Sequence, residues 1–150
     1  MVLRTPDFEG ANPERRAFGG SPPGSEKMDS SSAPSIEVEQ YHAILTVANL
    51  SAAIEFYTHQ LGFVHAFSWG EPATMAGVNL GRTQIVLQQG APPPTGTALY
   101  YVIGNADALH EYQQGQGVPV IEAIGDRSWD FRDYSTRDPD GNVLTFKHRL

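Results

Sequence analysis

The alternation of hydrophobic and polar positions changes character near Glu37. From there Val38-Glu39-Gln40-Tyr41-His42-Ala43-Ile44-Leu45-Thr46-Val47 is dense in β-branched and aromatic residues, which predicts a strand. Asn49-Leu50-Ser51 then leads into Ile54, Tyr57 and Leu61, whose spacing places them on one stripe of a helix. Ser51 is the expected N-cap, Glu55 falls in the first turn, and Gly62 is placed to end the helix in the left-handed conformation. Three β-type segments follow, at 63–69, 74–80 and 84–88.

The pattern then begins again. Laying residues 41–64 over 96–119, an offset of 55, superimposes Val47 on Val102, Tyr57 on Tyr112 and Gly62 on Gly117. Gly104-Asn105-Ala106 leads into a second helix carrying Leu109, Tyr112 and Gly117, followed by β-type segments at 118–124, 131–136 and 142–148. Each copy reads βαβββ. Gly90-Ala91-Pro92-Pro93-Pro94-Thr95-Gly96 joins them as a stiff linker that suits neither a helix nor a central strand. The expected organisation is a tail over 1–37 and a domain over 38–150, with module one at 38–90 and module two at 96–150. A unit of some fifty residues buries too little surface to stand comfortably alone, so the copies should pack on each other or on those of another chain.

Composition narrows the chemistry. The tail holds Pro6, Pro13, Pro22, Pro23 and Pro34, several glycines and a Ser30–Ser32 run, with Phe8 and Phe18 as its only aromatic side chains, so it is expected to be disordered. The chain contains no cysteine, which removes disulfides, thiolate metal sites and cysteine nucleophiles. A net charge of −7 without clustered Lys and Arg argues against nucleic acid as a partner. No apolar run approaches the roughly 20 residues of a membrane span, and no secretory h-region is visible, so a cytoplasmic protein without a membrane partner is expected.

Three stretches carry a resemblance to a known family. They are His42-Ala43-Ile44-Leu45-Thr46-Val47-Ala48-Asn49-Leu50, the helix Ala52-Ala53-Ile54-Glu55-Phe56-Tyr57 running to Leu61-Gly62-Phe63, and Asp138-Pro139-Asp140-Gly141-Asn142-Val143-Leu144. Asp-Pro-Asp-Gly alone is a common turn. In this order and spacing, the chain resembles the vicinal oxygen chelate superfamily, which includes glyoxalase I, extradiol dioxygenases and the bleomycin-resistance proteins. The resemblance implies an α+β fold of two tandem βαβββ modules, forming a curved mixed sheet around a cavity.

Relatives that look like glyoxalase I hold a divalent metal with four cavity-facing side chains, one from the first and one from the last strand of each module. An imidazole or carboxylate fixes the ion while open positions polarise substrate oxygens. Carried over, these positions fall at His42, Val86, Thr97 and Thr145, of which His42 alone matches. A shift of one residue supplies no ligand, and a shift of two offers Gln84 or Gln88, both feeble. The resemblance therefore implies no cofactor, with a His42-bound divalent metal as the alternative.

What remains is a cavity of the bleomycin-resistance type, which implies sequestration of a small organic, antibiotic-like ligand in a homodimer whose clefts lie between chains. Strand alternation places His42, Ile44 and Thr46, then Gln84, Val86 and Gln88, then Thr97, Leu99 and Tyr101, then Val143, Thr145 and Lys147 on the cavity face. Trp69, Trp129, Arg132 and Tyr134 lie in segments that flank the mouth in such proteins, where aromatic rings can stack on a planar or cationic group. The expected ligand-binding residues are His42, Gln88, Tyr101, Trp129, Arg132, Tyr134 and Thr145. His59 and His110 read as solvated helix faces, and the acidic run around Arg127, Arg132 and Arg137 as surface ion pairs. Three functions remain open: a metal-independent binding protein, a metal-dependent lyase, isomerase or dioxygenase using His42, and an interaction domain whose cavity is filled by its own side chains.

Overall fold

The computed structural model describes residues 33–150. The tail expected over 1–37 lies mostly outside the described residues, and 33–41 carry no regular secondary structure. The first strand, β1 (His42–Val47), starts later than its composition suggests. Its pairing with β4 (Thr83–Gln89) begins with His42 opposite Gln84, so 38–40 lie beyond the end of that strand. Helix α1 (Leu50–Glu55) follows and continues into a π-helical turn, Phe56–Gln60. Strands β2 (Val64–Gly70) and β3 (Ala73–Leu80) complete module one with β4. Module two repeats the order as β5 (Ala98–Val102), α2 (Ala106–Gly115), β6 (Val120–Asp126), β7 (Phe131–Arg137) and β8 (Val143–Arg149).

Each module makes its own four-stranded mixed sheet, ordered β1-β4-β3-β2 and β5-β8-β7-β6. In both, the first strand runs parallel to the last and the other pairings are antiparallel. One face of each sheet enters a shared core. Leu45, Val47, Ala76, Val78, Ile85 and Leu87 come from module one, and Tyr134, Leu144 and Phe146 from module two, with Tyr57 and Leu61 between them. The opposite face of each sheet, here the outer face, is turned away from that core.

The helices start alike. Asn49, rather than Ser51, is the N-cap of α1: its extended backbone lets its side chain accept from Ala52 N at 3.0 Å, and Asn105 does the same for Ala108 N in α2. A closing-strand side chain supports each helix entrance, since Gln89 Oε1 accepts from Leu50 N and His148 Nδ1 from Ala106 N, both at 2.8 Å. The helices end alike too, at Gly62 (φ +94°) and Gly117 (φ +80°).

Between these landmarks the copies differ by one residue. The caps, at 49 and 105, are offset by 56, whereas the terminating glycines, at 62 and 117, are offset by 55. The π turn of module one absorbs the extra residue, as such turns do for single insertions. Tyr57 therefore corresponds to Gln113, both fully buried, while Tyr112 is 44% exposed.

The modules are locked together by polar contacts. Asp138 Oδ2 accepts from the Tyr57 hydroxyl at 2.6 Å and from Asn142 Nδ2, while Oδ1 accepts the backbone N–H groups of Asp140 and Asn142. Asp140 in turn accepts from Ala48 N. Gln113 donates to Leu61 O, and Tyr112 donates to His59 O.

Candidate functional site

Strand pairing assigns the outer faces in rows. In module one the central row runs Ile44–Val86–Gly77–Phe67, across β1, β4, β3 and β2. The next row runs Thr46–Gln88–Met75–Trp69. Ile44 is 60% exposed and Trp69 66%. Phe67 lies over Gly77, where any side chain would meet its ring. At the end of the face His42 Nε2 donates to Gln40 Oε1, and Gln84 donates to Asn79 Oδ1. The two rows carry no charged side chain.

The corresponding central row of module two is Tyr100–Thr145–Ser135–Glu122, across β5, β8, β7 and β6. Thr145 and Ser135 are buried and share a hydrogen bond of 2.7 Å, with Glu122 Oε1 a further 3.5 Å from Ser135 Oγ. The Tyr100 hydroxyl is buried without a hydrogen-bond partner among the described residues. Burial, together with the carboxylates of Asp133 and Glu122, pushes its pKa up to about 12, so it stays protonated at neutral pH. The next row is Val102–Lys147–Asp133–Gly125. Lys147 is 2% exposed, its ammonium 4.2 Å from the Phe131 ring centroid and 5.2 Å from that of Tyr100. Asp133 is held by Arg127 Nε at 2.7 Å.

The expected site residues divide between the faces. His42, Gln88 and Thr145 lie on the outer faces, but Tyr101 does not. It faces the core, stacked on Phe146 at 5.4 Å and edge-on to Phe63 at 5.9 Å. Leu99 shares its side of β5. The offset of 55 is correct after the helix and one residue short before it, and a one-residue slip turns a strand over. Tyr100 is the residue that reaches the outer face. The asparagine caps, offset by 56, were the available signal.

Tyr134 is also in the core, fully buried, its hydroxyl donating to Gln113 Oε1 at 2.9 Å and its ring edge-on to half-buried His110. His110 is therefore not on a solvated face, whereas His59 is, paired with Glu55. Arg132 is engaged by Asp107 and Asp126, and its guanidinium holds the Asp107 carboxyl below the usual range. Trp129 sits in the β6–β7 turn, 39% exposed.

The metal positions can now be placed. The module-two equivalent of His42 is Ala98, not Thr97: each is the register mate of the corresponding residue of its closing strand, Gln84 or Val143. The four positions are His42, Val86, Ala98 and Thr145, which offer one imidazole, two hydrocarbon side chains and one neutral hydroxyl. That set does not fit a divalent ion. Among the described residues, no three His, Cys, Asp or Glu side chains are grouped to share one.

An open groove of about 580 Å³ lies elsewhere, at the start of α1, lined in part by Asn49, Ser51, Ile54, Pro72 and Thr74. It contains none of the expected site residues. Three amides around it are already used, Ala48 N by Asp140, Leu50 N by Gln89 and Ala52 N by Asn49, so it offers little to orient a ligand.

The family model for the Glyoxalase/Bleomycin resistance protein/Dioxygenase superfamily matches residues 40–146. The chain belongs to this superfamily. Solved structures of the glyoxalase/bleomycin-resistance fold agree in architecture. TioX from Micromonospora sp. ML1 is 15% identical with a TM-score of 0.67, over 75% of this chain and 100% of its own. TnmS3, an antibiotic binding protein from Streptomyces sp. CB03234, is 23% identical with a TM-score of 0.67, over 78% and 100%. A glyoxalase/bleomycin resistance protein/dioxygenase from Nocardioides is 18% identical with a TM-score of 0.66, over 85% and 93%. The comparison with curated proteins gave no match. Among the described residues, no helix is long and apolar enough to cross a membrane.

Proposed function

We propose that this chain is a metal-independent binding protein for a small organic, antibiotic-like molecule, held in a cleft between two copies of the chain. The observation that carries this reading is the outer face of module one. Ile44, Phe67 and Trp69 stand exposed on one sheet face, an arrangement a protein gains little from unless something covers it. The two modules of one chain turn their inner faces to a common core, so their outer faces do not close on each other. A second copy supplies the missing wall, its module-two face opposite the module-one face of the first. The apolar rows carry no charge to oppose that approach. TnmS3, of the same architecture, is an antibiotic binding protein, which supports a small-ligand role.

Three measurements on the full chain test the reading. Sedimentation velocity is expected to show a dimer that Trp69→Ala weakens. Tryptophan emission is expected to change saturably with 2-methylnaphthalene, a flat apolar probe. Elemental analysis after expression with added divalent salts is expected to find far less than one ion per chain. A stoichiometric ion that disappears in His42→Ala would overturn the reading in favour of a metal-dependent lyase, isomerase or dioxygenase.

A further inference from the structure

The fourth metal position of the family fold is occupied here by a hydroxyl, and it is not isolated. Thr145 is the centre of an in-register row in which every residue carries a polar side-chain atom: Tyr100, Thr145, Ser135 and Glu122. Three properties suggest what this row is built to meet. The Ser135–Thr145 pair satisfies itself, with 2.7 Å between oxygens, and leads towards the Glu122 carboxylate, an acceptor on the exposed strand β6. The Tyr100 hydroxyl is buried with no partner among the described residues, an arrangement that costs stability until something accepts a hydrogen bond from it. Of the two carboxylates beside the row, Asp133 is already bound to Arg127, which leaves Glu122 as the one on the exposed strand. A carboxylate ligand would face Glu122, and an ammonium has no lone pair to accept from Tyr100. A neutral group that both accepts and donates meets neither obstacle.

We propose that the Tyr100–Thr145–Ser135–Glu122 row is a hydroxyl-recognition subsite, and that the ligand is a flat apolar or aromatic molecule carrying a neutral hydroxyl group at one end. The hydroxyl oxygen accepts from Tyr100, and its proton is donated to Glu122 directly or through Ser135. The apolar body lies on the Ile44–Val86–Gly77–Phe67 row and Trp69 of the opposing copy. The inference rests on the intersubunit cleft proposed above.

The test compares two probes of nearly equal size, 2-naphthol and 2-methylnaphthalene, at neutral pH, by tryptophan emission on the full-length protein. The native protein is expected to prefer 2-naphthol by about fivefold or more, from the bond accepted from Tyr100 and the bond donated to Glu122. Tyr100→Phe, which removes the donor, is expected to lower that ratio about twofold or more. Glu122→Ala, at an exposed position where folding is not at stake, is expected to lower it about twofold or more. Equal binding of both probes by the native protein overturns the subsite while leaving the cleft standing. Binding of neither probe overturns the cleft and the subsite with it. A ratio unchanged in both variants assigns the preference elsewhere and also overturns the subsite.

Discussion

The two sheets share strand order and helix placement, yet their outer faces have opposite chemistry. Ile44–Val86–Gly77–Phe67 has no polar side-chain atom, while Tyr100–Thr145–Ser135–Glu122 has one at every position. Their inner faces have not diverged in this way: Leu87 and Phe146 occupy equivalent, fully buried places in the closing strands. Tandem copies must keep an apolar face where they pack on each other, because the shared core fails otherwise. The outer faces are free of that demand and can specialise, one towards apolar surface and the other towards polar groups.

The largest effects should come from the shared inner faces. Leu87→Ala and Phe146→Ala are each expected to cost about 3–5 kcal/mol in a denaturant titration, and each to unfold both modules in one transition. Two separate transitions would break the view of one core. Tyr57→Phe removes the hydroxyl bound to buried Asp138 and should cost about 2 kcal/mol, since the acceptor is a carboxylate. Thr145→Val leaves the buried Ser135 hydroxyl with only the distant Glu122 oxygen, for about 1–2 kcal/mol by the same measurement. Trp69→Ala, on the exposed face, should stay within about 0.5 kcal/mol of the parent when monomers are compared at high dilution.

The smallest effect sharpens the contrast through pH. Tyr100 and Tyr101 titrate near 12 in the folded chain against about 10 when unfolded. A raised folded value means that their contribution is complete below pH 10 and is lost as pH climbs from 10 through 12. Tyr100→Phe should therefore show a slightly shallower loss of stability across that window in urea midpoints. An unchanged slope would mean that the outer-face tyrosine is already solvated.

The sequence shows most of the element order because strand composition and helix periodicity are local properties. Segments 74–80 and 84–88 lie within β3 and β4, and 131–136 lies within β7. Gly62 and Gly117 were legible because both helices end in the conformation that only glycine adopts cheaply. The facing of β5 was not legible from the repeat alone. A π turn leaves no mark in apolar spacing, and its one additional residue reverses a strand's parity, exchanging Tyr100 for Tyr101. Tyr134 was hidden for a different reason: a strand flanking the mouth has two faces, and Gln113, which accepts from its hydroxyl, sits on a helix 21 residues earlier. The polar row itself depends on registers across four strands, which no local window contains.

The Tyr57–Asp138 bond joins residues 81 positions apart. A ribosome adding about 5–20 residues per second makes the tyrosine several seconds before its acceptor. Once β4 has been made, the first helix and its sheet exist without the contact that fastens them to the second half. Nascent module one is thus a guest awaiting its host, and ribosome-bound chains halted before Asp138 should be far more open to protease than those halted after the last strand has emerged.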